Sequence, residues 1–222
     1  MRAVVFDFGG VMTTCAMPVL AKEIVDEKGL PWQAVTEAFG KHRRDYDIGD
    51  ISVGEFYGRA WRDAGIEVDP ETEARIEEAD TVSFLGRNTR TLEWMRNLKA
   101  KGLLIGILTN MPHELAPRFR ETFHDYIALA DTLVVSSEVH LVKPMPEIYR
   151  LVEKNLGVAA EEIVFVDDSR VNCEGAERVG WRTVRFESNE QAESALHQIG
   201  GRLPAANLTQ HNRCEERQKQ QI

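Results

Sequence analysis

Residues 4–11 read VVFDFGGV. A short apolar run that stops at an acidic residue and two glycines is the pattern of a buried parallel strand ending in a turn, and it predicts a strand over Ala3 to Phe8. Four further runs share its character: Leu103 to Leu108 (LLIGIL) before Thr109-Asn110, Thr132 to Ser136, Ile163 to Val166 (IVFV) before Asp167-Asp168, and Trp181 to Phe186. Helical periodicity separates them. Asn88 to Lys101 carries Leu92, Met95 and Leu98 and stops at Gly102; Glu147 to Asn155 carries Ile148, Leu151 and Val152; Asn172 to Val179 stops at Gly180. Strands alternating with helices predict an α/β fold with a doubly wound parallel sheet. Such sheets gather chemistry at the carboxyl ends of their strands. That rule singles out Asp7, Thr109-Asn110 and Asp167-Asp168.

Outward from this frame the pattern changes. Between Val11 and Phe84 no strong strand is legible, and helices are predicted over Val19 to Lys28, Trp32 to Arg44, Val53 to Gly65 and Pro70 to Ala79. An all-helical insertion directly after the first strand would sit over the active edge of the sheet as a cap. The expected division is a core of residues 1–14 and 85–200, a cap of 15–84, and a polar tail of 201–222. The tail is rich in Gln and Asn without apolar periodicity and is expected to be disordered.

The 222 residues suit one domain carrying a smaller inserted one. The formal charge of −9, from 36 acidic and 27 basic residues, argues against a nucleic-acid partner, which needs a basic face. An anionic substrate must then be drawn by a metal ion, a lysine or a helix N-terminus. Cys15, Cys173 and Cys214 are too few and too dispersed for a disulfide framework or a zinc site. Reduced thiols suit a cytoplasmic location. No apolar stretch is long enough to span a membrane, and no secretory leader is legible. The oligomeric state is not legible.

Each strand-end residue admits a plain reading beside a chemical one. Asp7 is placed to attack phosphorus and form an aspartyl-phosphate, or to cap the next turn. Thr109 and Asn110 suit phosphate oxygens, or an ordinary turn. Lys143, in LVKPMPEIY, suits a buried ammonium facing the attacking carboxylate, or a solvated surface lysine. Asp167 and Asp168 suit Mg²⁺, or a helix N-cap assisted by Ser169.

Taken in order, VVFDFGGV, ILTN, LVKPMPEIY and VFVDDSRVNCEGA resemble the motifs of the haloacid dehalogenase superfamily, most of whose members are phosphatases. The resemblance spans about residues 1 to 187. With its helical insertion the chain is similar to the subgroup with a small all-helical cap, which includes glucose-1-phosphate phosphatases and the N-terminal phosphatase domain of soluble epoxide hydrolase. DIGDIS at Asp47 to Ser52 resembles a stretch of those caps. The resemblance implies a Rossmann-like core and a Mg²⁺-dependent phosphatase acting on a small phosphorylated metabolite. It implies Asp7 as nucleophile, Lys143 as the residue holding Asp7 and phosphate in place, and Thr109 and Asn110 as binders of the transferring group. It also implies a Mg²⁺ site made by Asp7, the Gly9 carbonyl, Asp167 and Asp168.

One position departs. Most phosphatases of the family carry a second Asp where this chain has Gly9. That group supplies general acid–base help, typically worth roughly 10²–10⁴ in rate. The expectation is a preference for good leaving groups, with His113, Glu114 or His42 as substitute bases. Two rivals share the departure: a 2-haloacid dehalogenase, and a metal- or phosphate-binding protein with impaired turnover. The acidic pair favours the phosphatase, because the dehalogenases need no metal and usually carry Ser-Ser-Asn there. Within the cap, His42, Arg43, Arg44, Tyr46 and Trp61 are candidates to face the substrate.

Overall fold

The computed structural model describes residues 1–14 and 19–201. Five strands form one parallel sheet: β1 (Ala3–Phe6), β2 (Leu104–Thr109), β3 (Thr132–Val135), β4 (Ile163–Asp167) and β5 (Arg182–Arg185), in the order β3-β2-β1-β4-β5. The strand order reverses at β1, so β1 is flanked by β2 and β4, and the chain segments leaving all three emerge side by side. The five predicted strands are all present, with ends one or two residues from those predicted; β4 runs one residue further, to Asp167.

Four helices follow β1: α1 (Val19–Glu27), α2 (Trp32–Asp47), α3 (Val53–Ala64) and α4 (Pro70–Ser83). They enclose their own apolar cluster, with Val35, Phe56, Tyr57 and Ile76 buried. Their ends are written locally. Ser52 and Glu55 form a capping box at the start of α3, Gly65 closes it with φ +65°, and Asp69 caps α4 ahead of Pro70. The helices α2 and α4 run three and four residues beyond the predicted ends at Arg44 and Ala79.

The chain leaves the sheet layer and returns to it through a narrow neck. Thr13 and Arg87 form an antiparallel bridge, the Thr14 amide donates to the Gly86 carbonyl at 2.9 Å, and the Asn88 amide donates to the Met12 carbonyl at 2.9 Å.

The remaining helices cover the sheet: α5 (Thr89–Ala100), α6 (Leu115–Thr122), α7 (His124–Ile127), α8 (Ser136–Val139), α9 (Pro146–Leu156), α10 (Arg170–Arg178) and α11 (Asn189–Gly201). One face of the sheet buries Phe6, Ile105 and Val164 under α5, α6 and α11; the other buries Val5, Leu108 and Phe165 under α9 and α10. The helices α6, α7, α8 and α11 were not legible in the sequence. Pro117 sits at the third residue of α6, where the missing amide has no helical partner to lose. Among the described apolar residues of α11, Ala192 and Leu196 are buried, too sparse a stripe to register as a period. That helix reaches Gly201, the first residue of the expected tail; residues 202–222 lie outside the described residues. No helix among the described residues is long and apolar enough to cross a membrane.

Candidate active site

Strand β1 ends beneath a cavity of about 380 Å³ that opens between the sheet edge and the helices α2 and α4. Asp7 stands on its floor, with the Asp7 amide still held in the sheet by the Val166 carbonyl at 2.9 Å. Its carboxylate also accepts the Phe8 amide at 2.6 Å. Lys143 arrives from the connection between α8 and α9, and its side chain is 1% exposed. The Nζ atom lies 2.7 Å from Asp7 Oδ1 and 2.8 Å from Asp167 Oδ2, and donates to the Leu108 carbonyl at 3.1 Å. Three acceptors match the three protons of an ammonium.

Asn110 explains how a loop lysine is aimed so closely. Its side-chain oxygen accepts the Lys143 amide at 2.8 Å and its side-chain nitrogen donates to the Lys143 carbonyl at 3.1 Å. The end of β2 thus clamps the backbone of the residue that reaches Asp7, while Asn110 also lines the cavity. Thr109 is 1% exposed, and its hydroxyl leans to the Asn110 carbonyl at 3.4 Å; it does not line the cavity.

The two acidic residues after β4 separate in role. Asp167 is fully buried. Its oxygens accept the Ser169 amide at 2.8 Å, the Asn172 side chain at 3.1 and 3.2 Å, and Lys143. Asp168 is only partly buried and lines the cavity. Carboxylate oxygens of Asp7, Asp167 and Asp168 all lie within 4.8 Å of one another. Burial and the charge of Asp167 push the Asp7 carboxyl up to about 8 against the pull of Lys143. Burial, then Asp167, also raise Asp168. For Lys143, burial opposes its charge but the two carboxylates outweigh it and hold it protonated. With all four groups ionised, three carboxylates face one ammonium, and the all-oxygen remainder fits one hard divalent cation.

The cap side of the cavity is different in kind. Trp32, Phe39 and Phe84 line it, with Leu115 from the core beside them. Arg43 and Asp80 are its charged groups, and they are already paired. Arg43 Nε donates to Asp47 at 2.8 Å and Nη1 lies 4.0 Å from Asp80, which accepts the Tyr57 hydroxyl at 3.4 Å. Of the five cap candidates, only Arg43 lines the cavity. His42 turns to Asp63 at 3.2 Å, Arg44 is exposed, Tyr46 stacks on Phe56 and Trp61 is buried in the cap cluster.

The substitute bases also lie elsewhere. Glu114 accepts the Val53 amide at 3.3 Å and bonds the Tyr46 hydroxyl, joining core to cap. His113 lies under the α2–α3 turn. There Gly49 has φ +82°, and a Cβ would come within 2.7 Å of His113 Nε2, so this close approach requires glycine. The same seam holds Ser136, whose hydroxyl accepts the Met111 amide at 2.8 Å and donates to the Asp47 carbonyl at 2.5 Å. Gly9, by contrast, is not forced: a Cβ there would meet only a Phe84 ring carbon at 3.9 Å.

A carboxylate at the end of the central strand, a buried lysine on it and an acidic pair one strand away are shared with known enzymes. A model of the haloacid dehalogenase-like hydrolases matches residues 1–180. The chain belongs to this family. Among curated relatives, bifunctional epoxide hydrolase 2 of Sus scrofa is 25% identical over 90% of this chain, which spans only 39% of that protein. A sesquiterpene phosphatase of Aspergillus oryzae is 28% identical over 81% of this chain and 86% of its own. The relatives also include (S)-2-haloacid dehalogenases of Pseudomonas. Among solved structures, a member of the family from Bacteroides thetaiotaomicron, crystallised with magnesium and inorganic phosphate, superposes with a TM-score of 0.67. It is 21% identical, and the match covers 88% of this chain and 98% of that one. The Rossmann-like hydrolase fold is therefore shared.

Among the polar residues in and around the site, Asn172, Asp80 and Ser136 are not marked by the sequence pattern. Asn172 is five residues beyond Asp167 in the first turn of α10, where a helix start after an acidic pair points its amide back at the strand end. Asp80 and Ser136 carried no signal, because each meets its partners only through tertiary packing.

Proposed function

We propose that this hydrolase is a Mg²⁺-dependent phosphatase that works on a small phosphorylated metabolite through a phosphoryl group carried on Asp7. The observation that carries the reading is the Lys143 ammonium bridging Asp7 and Asp167 on the cavity floor, with Asp168 beside them. An Asp7 oxygen attacks phosphorus, the ester P–O bond breaks, and the alcohol oxygen leaves with the bond's electrons and takes a proton from water. A second water then attacks phosphorus, and the Asp7–phosphorus bond breaks to release inorganic phosphate and restore the carboxylate. Lys143 offsets the charge of Asp7 so that a dianionic phosphate can approach it. Asn110, on the cavity wall, offers its remaining amide hydrogen to the phosphoryl oxygens. Asp7 and Asp168 would hold the cation, with the Gly9 carbonyl; Asp167, its oxygens already engaged, holds Lys143 and reaches the ion at most through water. A bound Mg²⁺ supplies Lewis-acid stabilisation of the phosphoryl oxygens.

The 2-haloacid dehalogenase reading rests on the same Asp7 and on the lack of a second carboxylate at Gly9. Asp168 weighs against it, since a carboxylate there adds uncompensated charge that a metal-free displacement has no use for. The test is phosphate release from p-nitrophenyl phosphate with and without Mg²⁺, for the native chain and Asp7→Asn. Mg²⁺-dependent release that falls roughly 10⁴-fold or more in the variant is the expected result. Chloride release from 2-chloropropionate without phosphate release would overturn it; Mg²⁺ binding with neither would leave a binding protein.

A further inference from the structure

Three aromatic rings in the cavity wall are only partly covered. Trp32, Phe39 and Phe84 are each of intermediate exposure although they stand inside the molecule, between cap and core. All three line the cavity. Phe39 packs one side against Phe56, Tyr57 and Trp61 at ring distances of 5.3 to 5.4 Å, which fixes its orientation and leaves the other side unspent. Leu115, from the start of α6, extends the same wall. Gly9 adds room below Phe84, because no side chain stands between that ring and the nucleophile's strand.

The charged groups of this wall are paired with each other, and Thr36, which also lines it, turns its hydroxyl to the Trp32 and Gln33 carbonyls at 3.1 and 3.0 Å. Arg43 is matched by Asp47 and Asp80, and Asp80 is further occupied by the Tyr57 hydroxyl. The cluster therefore carries no surplus positive charge for a second phosphate or a carboxylate. A sugar would bury several hydroxyls against carbon, and each unpaired hydroxyl costs binding. An apolar ring would instead release water from four carbon surfaces at once.

Resting on the phosphatase reading, we infer that the substrate is the monophosphate ester of an apolar, ring-sized alcohol rather than of a sugar. Its phosphate sits at Asp7, Lys143 and Asn110, and its ring lies between Trp32, Phe39 and Phe84. Trp32 and Phe84 are specificity-determining residues for it.

Two esters of primary alcohols, benzyl phosphate and glucose 6-phosphate, isolate this from leaving-group chemistry. The expected kcat/KM with Mg²⁺ is about a hundredfold higher for benzyl phosphate. Benzylphosphonate, which cannot be hydrolysed, is expected to compete and to quench tryptophan fluorescence through Trp32. Trp32→Ala and Phe84→Ser are each expected to shrink the benzyl-to-glucose ratio about tenfold, mainly through KM. A circular-dichroism melt of each variant identifies any that fails to fold, and the other variant and the native chain then decide. Equal or greater turnover of glucose 6-phosphate by the native chain would overturn the inference while leaving the phosphatase standing. Phosphate release from neither ester nor from p-nitrophenyl phosphate would instead remove the reading on which it rests.

Discussion

The floor and the roof of one cavity are built on opposite principles. On the floor, polar groups are tied to one another: Lys143 to Asp7, Asp167 and Leu108, Asn110 to the Lys143 backbone, Asp167 to Ser169 and Asn172. The roof is carbon, and its few charges are paired within the cap. The contrast teaches how the labour is divided. A reaction that develops charge needs preorganised dipoles on a rigid support, which strand ends provide. Choice among alcohols needs only shape and apolar area, which helices supply by changing a few side chains. On the proposed reading, the floor sets the reaction and the roof the choice of substrate.

Removing the hub of the floor is the harshest way to break this comparison. Lys143→Met leaves Asp7 and Asp167 facing each other without a counter-charge in a buried setting. Stripping one partner from such a cluster typically costs about 3–5 kcal/mol. The expected outcome is loss of turnover together with a melting temperature lowered by several degrees. A variant that melts like the native chain would mean that the floor is less tightly coupled than its distances imply.

Gly9→Asp sharpens the comparison by placing a proton donor between floor and roof. The backbone there has no left-handed φ, and the new Cβ meets only Phe84 at 3.9 Å, so the substitution fits. General acid help is expected to raise turnover of benzyl phosphate by about 10²-fold, with a much smaller gain for p-nitrophenyl phosphate, whose leaving group needs no proton. Parallel gains on both esters, with chemistry limiting, would contradict the leaving-group argument.

The smallest effect is expected at the seam. Ser136→Ala strips the buried Met111 amide of its acceptor and the Asp47 carbonyl of its donor, a loss of about 1–3 kcal/mol. Because the seam lies away from Asp7, kcat is expected to change little while KM rises as the roof loosens. A fall in kcat with unchanged KM would place the seam within the chemistry.

Legibility in the sequence follows the same division. Asp7, Lys143 and the acidic pair were legible because each stands beside an apolar strand or loop whose burial the residue types announce. Asn110 was legible as a polar strand-end residue, but its clamp on the Lys143 backbone depends on a partner 33 residues away. The roof was not legible. Helical periodicity separates the inside of a helix from its outside, and Phe39 obeys it. It does not say that part of that inside faces a cavity rather than another helix. Trp32, near the start of α2, read as a helix beginning, and Phe84 as the end of an insertion.

The neck at Thr13 and Arg87 has a consequence for how such enzymes diversify. The ends of the inserted segment are held together by a bridge and two backbone hydrogen bonds of the core. Whatever is threaded between them is closed by the core rather than by its own contacts. Doubling the length of a closed loop costs only about 0.6 kcal/mol. Evolution, or a protein engineer, can therefore exchange the whole inserted segment for one of another size and leave Asp7, five residues before the neck hydrogen bond on Met12, where it stands.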